Sequence, residues 1–419
     1  MMLETANRQF VSPLKEKLLS ESRNSVKKIP CNHSWTFRDA VILPARRIQT
    51  GTEITGNHRS IEVGGVLDSN GAFREESLIP GWIEAGYSVQ NPEEDGATAV
   101  YCGRMIGQWG HFLLESITRL WYFMEHDNDE YVYVFIVKEN TNPEIEPAFQ
   151  EFFQLLGMEN RIRFLNKPVR YKKVIIPERS FQYRHFFSNE YIRIFDEVCE
   201  AAENRVRSQA EGHGYSKKIY LSRHRFMKAV QSESGLDMLD DYFSGNGYKI
   251  IFPECQPLTE TICAIREADA VASESGSCAH NFLFCREGQK VTVIERQAFI
   301  NDAQASIDRV RRLNTTYVEA ALTIARIYHG KGPFLIAYTP YFSNYAESLG
   351  ELPPDDRYLS MEYLKALEAE YHSMQKRIPE DHPGCSDSRA EELLQHSMKM
   401  TEDILKYGLH THCEADKQL

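Results

Sequence analysis

The feature that most constrains the fold is an alternation of strand and helix patterns that occurs twice along the chain. The first series begins near Trp35 and continues to about residue 209. A polar, glycine-containing segment, residues 210–216, separates it from a second series that ends near residue 300. Such alternation is typical of parallel sheets with helical crossovers. The sequence therefore predicts an α/β protein with two Rossmann-like halves.

We accordingly predict four regions. Residues 1–34 form an N-terminal arm, 35–209 a first Rossmann-like domain and 210–300 a second, and 301–419 a mainly helical region whose tail is partly disordered. Within the last region we expect a helix over residues 302–328. A chain of 419 residues exceeds one ordinary hydrophobic core, so two domains suit its length.

Charge and hydropathy limit the partners. The chain has 60 acidic and 48 basic residues, a net charge of −12, which argues against a nucleic-acid partner because a phosphate backbone attracts clustered lysine and arginine. No run approaches the roughly 18 apolar residues that span a bilayer, and no secretory signal is visible, so only peripheral membrane association stays open. Nine cysteines without a CxxC pair suit reduced thiols. We expect a cytoplasmic protein.

The helix predicted at about residues 108–126 carries a histidine and a carboxylate on one face. His111 and Glu115 are four residues apart and follow the strand ATAVYC. A carboxylate one turn from an imidazole can orient the ring and stabilise its charged form, as a general base requires. From spacing alone, the alternative is an ordinary helix in which His111 caps backbone or pairs with Glu115. The other face is an apolar stripe of Trp109, Phe112, Leu113, Ile117, Leu120 and Met124.

A second group of polar residues follows the strand KKIYLS. Arg223 and Arg225 come directly after it, with Lys228 behind them and Glu233 further along. Ligands of open α/β sheets bind at the carboxyl ends of the strands, and the planar donors of arginine match a diphosphate in geometry and sign. The group therefore predicts a phosphate site without a metal. A solvated basic turn is the alternative.

The third candidate is the segment DAVASESGSCAHNFLF. Ser275, Gly276 and Ser277 form a small-residue loop between an apolar strand and a helix expected from about Cys278, with Asn281 on that helix. Free backbone N–H groups at a helix start, next to a glycine, make an anion site. Neither GxxxxGK[ST] nor GxGxxG is present. Small residues also begin many buried helices, which is the alternative.

Other motifs are weak or missing. The sequence has no HExxH, GxSxG or paired-cysteine pattern, so zinc and serine hydrolases lack their usual signature. His410, His412 and Cys413 resemble metal ligands, but a polar C-terminal tail is more often without fixed structure. We expect neither a metal nor a cofactor.

In their order and separation, the three segments resemble the glycosyltransferase 61 family over about residues 97–295. GHFLLESITRL is similar to the family's Gly-His-aromatic-Leu-x-Glu helix, which ends in Arg-Leu. KIYLSRHR with Glu233 resembles the family's strand, arginine and Asn-Glu segment. ADAVASESGSCAHNFLFCREGQKVTVIE resembles the family's strand, small-residue loop, Asn-x-x-Phe helix and closing strand, which ends here in Glu295.

Three residues depart from the family pattern. The family's loop usually reads His-Gly-Ala-Gly, whereas this chain has Ser275 in place of the histidine and Cys278 in place of the second glycine. Ser232 stands where the family has an asparagine before the glutamate. These departures concern the geometry at the donor phosphate.

The resemblance implies the GT-B fold, in which two Rossmann-like domains face a central cleft, here with additional C-terminal helices. It also implies an inverting, metal-independent transfer of a hexose or pentose from a nucleotide-sugar, commonly a UDP-sugar, to a hydroxyl of a glycan or glycoconjugate, as in surface polysaccharide biosynthesis. His111 and Glu115 would be catalytic. The donor would contact Arg223, Arg225, Lys228, Glu233, Ser275, Gly276, Ser277 and Asn281.

Two other function classes stay open. A catalytically inactive relative, which binds a sugar nucleotide or glycan and supports a partner enzyme, is favoured by the departures at Ser275 and Cys278. A sugar-nucleotide oxidoreductase or epimerase would share the Rossmann topology, but the sequence lacks the glycine-rich dinucleotide motif.

Overall fold

The computed structural model describes residues 9–31, 33–50, 59–126, 128–208, 214–325, 332–376 and 388–409. The chain divides into two compact units. The first unit is Val26–Ala201, and the second combines Met1–Ser25 with Ala202–Leu419. Each unit contains one large sheet and one small three-stranded sheet, β1-β9-β8 in the first unit and β11-β17-β16 in the second.

The strands of the described residues are β1 (Lys27–Lys28), β2 (Ser34–Thr50), β3 (Arg59–Leu67), β4 (Glu93–Arg104), β5 (Tyr131–Ile136), β6 (Ile162–Leu165), β7 (Val169–Pro177), β8 (Phe181–Gln182), β9 (Phe186–Phe187), β10 (Lys218–Leu221), β11 (Glu233–Ser234), β12 (Lys249–Ile251), β13 (Ala270–Glu274), β14 (Lys290–Glu295), β15 (Asn314–Glu319), β16 (Ala321–Leu322) and β17 (Phe334–Ile336). The α-helices are α1 (Pro13–Ser25), α2 (Trp109–His111), α3 (Trp121–His126), α4 (Pro147–Leu155), α5 (Asn189–Ser208), α6 (Met227–Val230), α7 (Leu236–Gly245), α8 (Leu258–Glu267), α9 (Asp302–Arg311), α10 (Pro340–Leu349), α11 (Met361–Gln375) and α12 (Ser388–Tyr407).

The first unit is built on a six-stranded sheet in the order β3-β2-β7-β4-β5-β6. β7, β4, β5 and β6 pair in parallel, whereas β2 is antiparallel to both β3 and β7. The expectation of a fully parallel sheet in this half is therefore wrong. A parallel connection needs a crossover of about a dozen residues or more, and fewer lie between β2 and β3.

Within the parallel part of this sheet, β4 lies between β5 and β7. The chain moves outward from β4 through β5 to β6 and then returns to the other side of β4 as β7. This reversal makes a topological switch point at the carboxyl ends of β4 and β7, the place where α/β sheets bind ligands.

The second unit is built on a five-stranded sheet in the order β12-β10-β13-β14-β15, and all of its pairings are parallel. The parallel sheet predicted for this half is confirmed. Its strand order is the 2-1-3-4-5 order of doubly wound sheets, whose switch point lies between β10 and β13. β15 comes after residue 300, where we expected helices, so the sheet extends further along the chain than predicted.

Two predicted helices are shorter than expected. The helix over residues 302–328 ends at Arg311, because Arg312 takes a left-handed conformation with φ 50° and β15 follows. The helix over residues 108–126 is interrupted by a π-helical turn, Phe112–Ser116. The Thr118 carbonyl accepts hydrogen bonds from the Ser180 N–H at 2.9 Å and the Ser180 hydroxyl at 2.6 Å. A carbonyl committed to Ser180 cannot also continue a regular α-helix.

Each sheet carries a buried core. In the first unit the core side chains include Tyr101, Val134 and Ile176, all fully buried. In the second unit Ile294 and Val318 belong to a core that also takes in Phe10, which bridges to Val318 from the N-terminal segment.

Candidate functional site

A histidine and a glutamate form a hydrogen-bonded pair after β4. His111 Nδ1 lies 3.0 Å from Glu115 Oε2, and the Trp82 indole N–H donates to the same oxygen at 2.7 Å. Since an ionised carboxylate only accepts, it places the imidazole proton on Nδ1 and leaves Nε2 as an acceptor. The His111 side chain is 41% exposed, so a ligand can approach the ring. The structure thus brings the two predicted residues together in a geometry suited to a base.

A pocket lies beside Glu115 in the first unit, beyond the carboxyl end of β7. Arg179, two residues after β7, lines it and donates from Nη2 to Gln182 Oε1 at 2.8 Å. Burial, together with the neighbouring charge of Arg119, lowers the pKa of Arg179 to about 10. The lining also includes Arg184 and further residues of the β8–β9 hairpin.

Arg119 lies behind this pocket and has a structural role. It is buried and donates from Nε to the Pro177 carbonyl at 2.9 Å and from Nη2 to the Glu76 carbonyl at 3.0 Å. Because neutral carbonyls hold it, Arg119 keeps a positive charge inside the first unit next to Arg179.

In the second unit, three adjacent parallel strands each end in a buried glutamate: Glu274 ends β13, Glu295 ends β14 and Glu319 ends β15. Burial raises the pKa of both Glu274 and Glu295 to about 7. Glu274 accepts hydrogen bonds from the Tyr220 hydroxyl at 2.8 Å and the Arg223 N–H at 3.0 Å. This strand edge therefore holds carboxylates in a low-dielectric setting.

Lys15 of α1 is fully buried against two of these glutamates. Its Nζ donates to Glu319 Oε2 at 2.6 Å and to the Gln297 carbonyl at 2.8 Å, and lies 3.6 Å from Glu295 Oε2. The N-terminal segment thus supplies the cation that partly balances this end of the strand edge.

Two arginines share one glutamate at the other end of this edge. Arg223 Nη2 lies 3.0 Å from Glu233 Oε1, and Arg296 Nη1 donates to the same oxygen. The side chains of Arg223 and Arg296 are 13% and 11% exposed, and that of Glu233 is 1% exposed. Burial alone would lower the pKa of Arg223, but Glu233 and Glu274 raise it above the ordinary value. Arg223 therefore stays charged although it is mostly buried.

Gly276 lets the loop backbone approach both of these arginines closely. Its φ is +123°, and a Cβ there would lie 2.7 Å from Arg296 Nη2 and 3.2 Å from Arg223 Nη1. Only a residue without a side chain lets the loop backbone come this close to both guanidinium groups. An oxyanion that reaches this loop meets two cations at once.

The rest of the predicted loop is built differently from expectation. The helix predicted from about Cys278 is present as a six-residue 3₁₀ helix, Ala279–Phe284. Asn281 is buried and donates from Nδ2 to the Cys278 carbonyl at 2.8 Å, which closes this tighter turn. Ser275 is buried too, and its N–H donates to the Ile294 carbonyl at 2.8 Å. Ser277 is half-buried. The capacity of this loop to hold an anion therefore rests on Gly276 and not on a helix dipole.

Arg225 and Lys228 complete the predicted set. Arg225 is exposed, and its guanidinium carbon lies 4.2 Å from the centroid of the Phe252 ring. It stacks on Phe252 and does not share in the pairing of Arg223 with Glu233. The side chain of Lys228 lies outside the described part of the structure.

A second pocket adjoins Glu233 in the second unit. Polar groups line it: the hydroxyl of Ser234 donates to Glu370, and His224 Nδ1 lies 2.9 Å from Asp240 Oδ2. The pocket is therefore lined by hydrogen-bonding side chains, and one of them, Glu233, also contacts Arg223 and Arg296.

The sequence model of the family described as Glycosyltransferase 61 matches residues 109–292. The chain carries a glycosyltransferase 61 domain. The predicted family is thereby confirmed, and with it a glycosyltransferase assignment in general. The match covers both His111 and Arg223, whereas Arg296 lies just beyond it. No curated protein matches the chain.

The sequence analysis missed Arg179 and Arg296. Both follow strands at the position that singled out Arg223: Arg179 comes after VRYKKVIIP and Arg296 directly after KVTVIE. Applying the strand-end criterion to every strand would have found them. Lys15 gave no comparable signal, because one lysine in a polar helix is ordinary.

Three further findings concern cations, thiols and membranes. Among the described residues, no group of three or more histidine, cysteine, aspartate or glutamate side chains is placed to hold a metal ion. His410, His412 and Cys413 lie outside the described residues. The seven cysteines within the described ranges are free thiols. None of the described helices combines the length and the apolar character needed to cross a bilayer.

Proposed function

We propose that the protein is an inverting glycosyltransferase that transfers a sugar from a nucleotide-sugar to a hydroxyl of a glycan or glycoconjugate. The observation that carries the proposal is the pair Arg223 and Arg296 on either side of Gly276, at the carboxyl ends of parallel strands. A diphosphate gains charge as it leaves the sugar, and two preorganised guanidinium groups stabilise that charge most in the transition state.

The pocket beside Glu233 is where we place the nucleoside. A ribose offers hydroxyl groups that donate and accept, and carboxylates such as Glu370 accept from them. A UDP-sugar is the donor we propose, with its diphosphate directed from this pocket to Gly276. Glu233 would exchange part of its pairing with the arginines for the arriving diphosphate.

His111 is the base in this proposal, and Glu115 orients it. The acceptor hydroxyl gives its proton to His111 Nε2 while its oxygen forms a bond to the anomeric carbon. The bond from that carbon to the diphosphate oxygen breaks on the opposite face, and its electron pair leaves with the diphosphate. The imidazolium is stabilised by Glu115 at 3.0 Å.

Several finer features belong to the same proposal. The fold class we propose is GT-B, with the acceptor bound by the first unit and the donor by the second. The arginines supply the charge that a divalent metal supplies in other phosphate-handling enzymes, so the reaction proceeds without a metal. Surface polysaccharide assembly in the cytoplasm, with peripheral membrane association where the acceptor is lipid-linked, is the setting we propose.

A catalytically inactive, nucleotide-binding relative is the second candidate, and one observation favours it. Glu233 Oε1 contacts both arginines and neutralises one of their two charges before any ligand arrives. A carboxylate fixed there would weaken diphosphate binding. Release of nucleoside diphosphate over many turnovers, lost in His111→Ala, would exclude this candidate.

Thermal-shift titration with UDP, GDP, CDP and CMP tests the donor site without an acceptor, because a ligand that binds the folded state raises its melting temperature. We expect UDP to stabilise the wild type and to have little effect on Arg223→Gln or Arg296→Gln. Arg312→Gln, which removes an exposed arginine of the same unit, serves as the control. No stabilisation by any of the four nucleotides would contradict the proposal.

A further inference from the structure

The pocket of the first unit carries more positive charge than a neutral acceptor requires. Its lining includes Arg179 and Arg184, against the single carboxylate of Glu115. That carboxylate already accepts hydrogen bonds from the Trp82 N–H and contacts His111 Nδ1. The pocket lining therefore holds two arginines and one carboxylate, and that carboxylate is already engaged by Trp82 and His111.

Arg179 is the more important of the two arginines that line this pocket. Its Nη2 donates to the neutral amide oxygen of Gln182, which leaves the guanidinium charge without compensation from that partner. Arg119 stands behind it as a second cation held by backbone carbonyls. Two arginines this close repel each other, and burial and this repulsion lower the pKa of Arg179. An anion in the pocket would relieve the repulsion.

The position of the pocket points to a substrate. It lies beyond the carboxyl end of β7, a strand at the switch point of this sheet, and Glu115 belongs both to its lining and to the proposed base pair. A group bound against Arg179 in this pocket therefore shares Glu115 with the proposed base. Because the pocket and the proposed base have Glu115 in common, the bound group is better explained as part of a substrate than as an unrelated surface anion.

We infer that this pocket binds an anionic group of the acceptor, a carboxylate or a phosphate, with Arg179 as its main contact and Arg184 of the β8–β9 hairpin as a second one. The inference rests on the proposed function in that it takes the ligand of the pocket to be the acceptor. It adds the substrate class: an acidic glycan, such as one carrying a uronic acid or a sugar phosphate. Arg179 would be a specificity-determining residue that positions the acceptor hydroxyl at His111.

Calorimetric titration with three small sugars tests this inference. The probes are methyl β-D-glucuronide, glucose 6-phosphate and the neutral methyl β-D-glucoside, each added to the full chain. We expect at least one charged probe to bind about tenfold more tightly than the glucoside, and the better of the two identifies the anion as carboxylate or phosphate. Equal binding of all three, or binding of none, would overturn the inference.

Variants locate the effect. Arg179→Gln should abolish the preference for the charged probe, Arg179→Lys should keep part of it, and Arg184→Gln should weaken it. Arg193→Gln, an exposed arginine of α5 in the same unit, is the matched control and should leave it unchanged. An unchanged preference in both Arg179 variants would contradict the role of Arg179. If Arg179→Gln does not fold, Arg179→Lys and Arg184→Gln decide.

The failure of this inference can be told apart from the failure of the proposed function. UDP binding to the second unit is measured on the same sample and does not involve Arg179. UDP stabilisation without a charged-sugar preference would refute the anionic acceptor alone. A charged-sugar preference without binding of any nucleotide would refute the glycosyltransferase proposal and keep the anion site.

Discussion

The two switch points of this chain use charge in opposite ways. In the second unit, Arg223, Arg296 and Glu233 are nearly buried and hold one another, beside a row of buried strand-end glutamates. In the first unit, the His111 ring is 41% exposed and is held through one nitrogen by Glu115. The buried arrangement of the second unit suits a site that holds a fixed charge. The exposed arrangement of the first unit suits a group that gains and loses a proton.

Burial explains the difference. Interactions between charges strengthen as water is excluded, so a site that stabilises a leaving diphosphate works best when its cations are preorganised in a low-dielectric setting. A base, in contrast, must exchange its proton and needs access to the substrate hydroxyl. The chain thus has two different strand edges. We call the buried one in the second unit, with Arg223, Arg296 and the strand-end glutamates, the rigid edge, and the one in the first unit, with His111 and Glu115, the accessible edge.

The largest expected effect tests whether buried charge is essential to the rigid edge. Lys15→Met should lower the free energy of unfolding by about 3–5 kcal/mol, because Glu319 and Glu295 lose the buried cation between them. Urea denaturation followed by far-UV circular dichroism measures this change. Lys17→Met, on the exposed side of the same helix, is the control and should change the value by about 0.5 kcal/mol or less. Equal losses of stability in the two variants would show that the buried ion pairs of Lys15 are not essential to the rigid edge.

The next effect concerns the accessible edge. His111→Ala should reduce the rate of nucleoside diphosphate release at saturating donor by about 10²–10⁴-fold, the usual contribution of a general base. Because the site is open, added imidazole should restore part of the rate. His126→Ala, an exposed histidine of α3, is the matched control and should keep the wild-type rate. A His111→Ala variant with full activity would show that another group takes the proton.

The smallest effect is a pH dependence of stability in the rigid edge. The pKa of Glu295 rises from 4.5 to about 7 on burial, so between these pH values the unfolded chain binds fewer protons than the folded one. Each such group lowers the free energy of unfolding as pH rises from about 4.5 to about 7, by up to about 1.4 kcal/mol per pH unit. Urea denaturation at several pH values should show a shallower decline in Glu295→Gln.

Glu362→Gln, which removes an exposed carboxylate of the same unit, should leave that decline as it is in the wild type. A slope in Glu295→Gln identical to that of the wild type would mean that Glu295 is ionised in the folded protein at acidic pH.

Strand and helix alternation predicted the α/β class and the parallel sheet of the second unit, because strands buried on both faces read as apolar runs. It could not predict that β2 and β3 pair antiparallel in the first unit, since pairing depends on what lies beside a strand and not on its own pattern. The helix at residues 108–126 failed for a related reason: Ser180, distant in sequence, takes the Thr118 carbonyl.

At the site, strand-end position predicted Arg223 and Gly276, and helical spacing predicted the pairing of His111 with Glu115. The charged partners in the second unit come from distant parts of the chain. Arg296 reaches Glu233 from β14, and Lys15 reaches Glu319 from the N-terminal helix. Sequence spacing carries no information on such contacts, because they depend on the order of strands in the sheet.

The most direct test of the central claim, that Gly276 and its two arginines hold the donor diphosphate, is calorimetry with UDP and UMP on Gly276→Ala and Gly288→Ala. Both glycines have positive φ, but a Cβ at Gly276 would meet Arg296 and Arg223, whereas one at Gly288 meets nothing within 4 Å. We expect the wild type and Gly288→Ala to bind UDP about tenfold or more tightly than UMP, and Gly276→Ala to lose that difference. A Gly276→Ala variant that keeps the full preference for UDP would contradict the account.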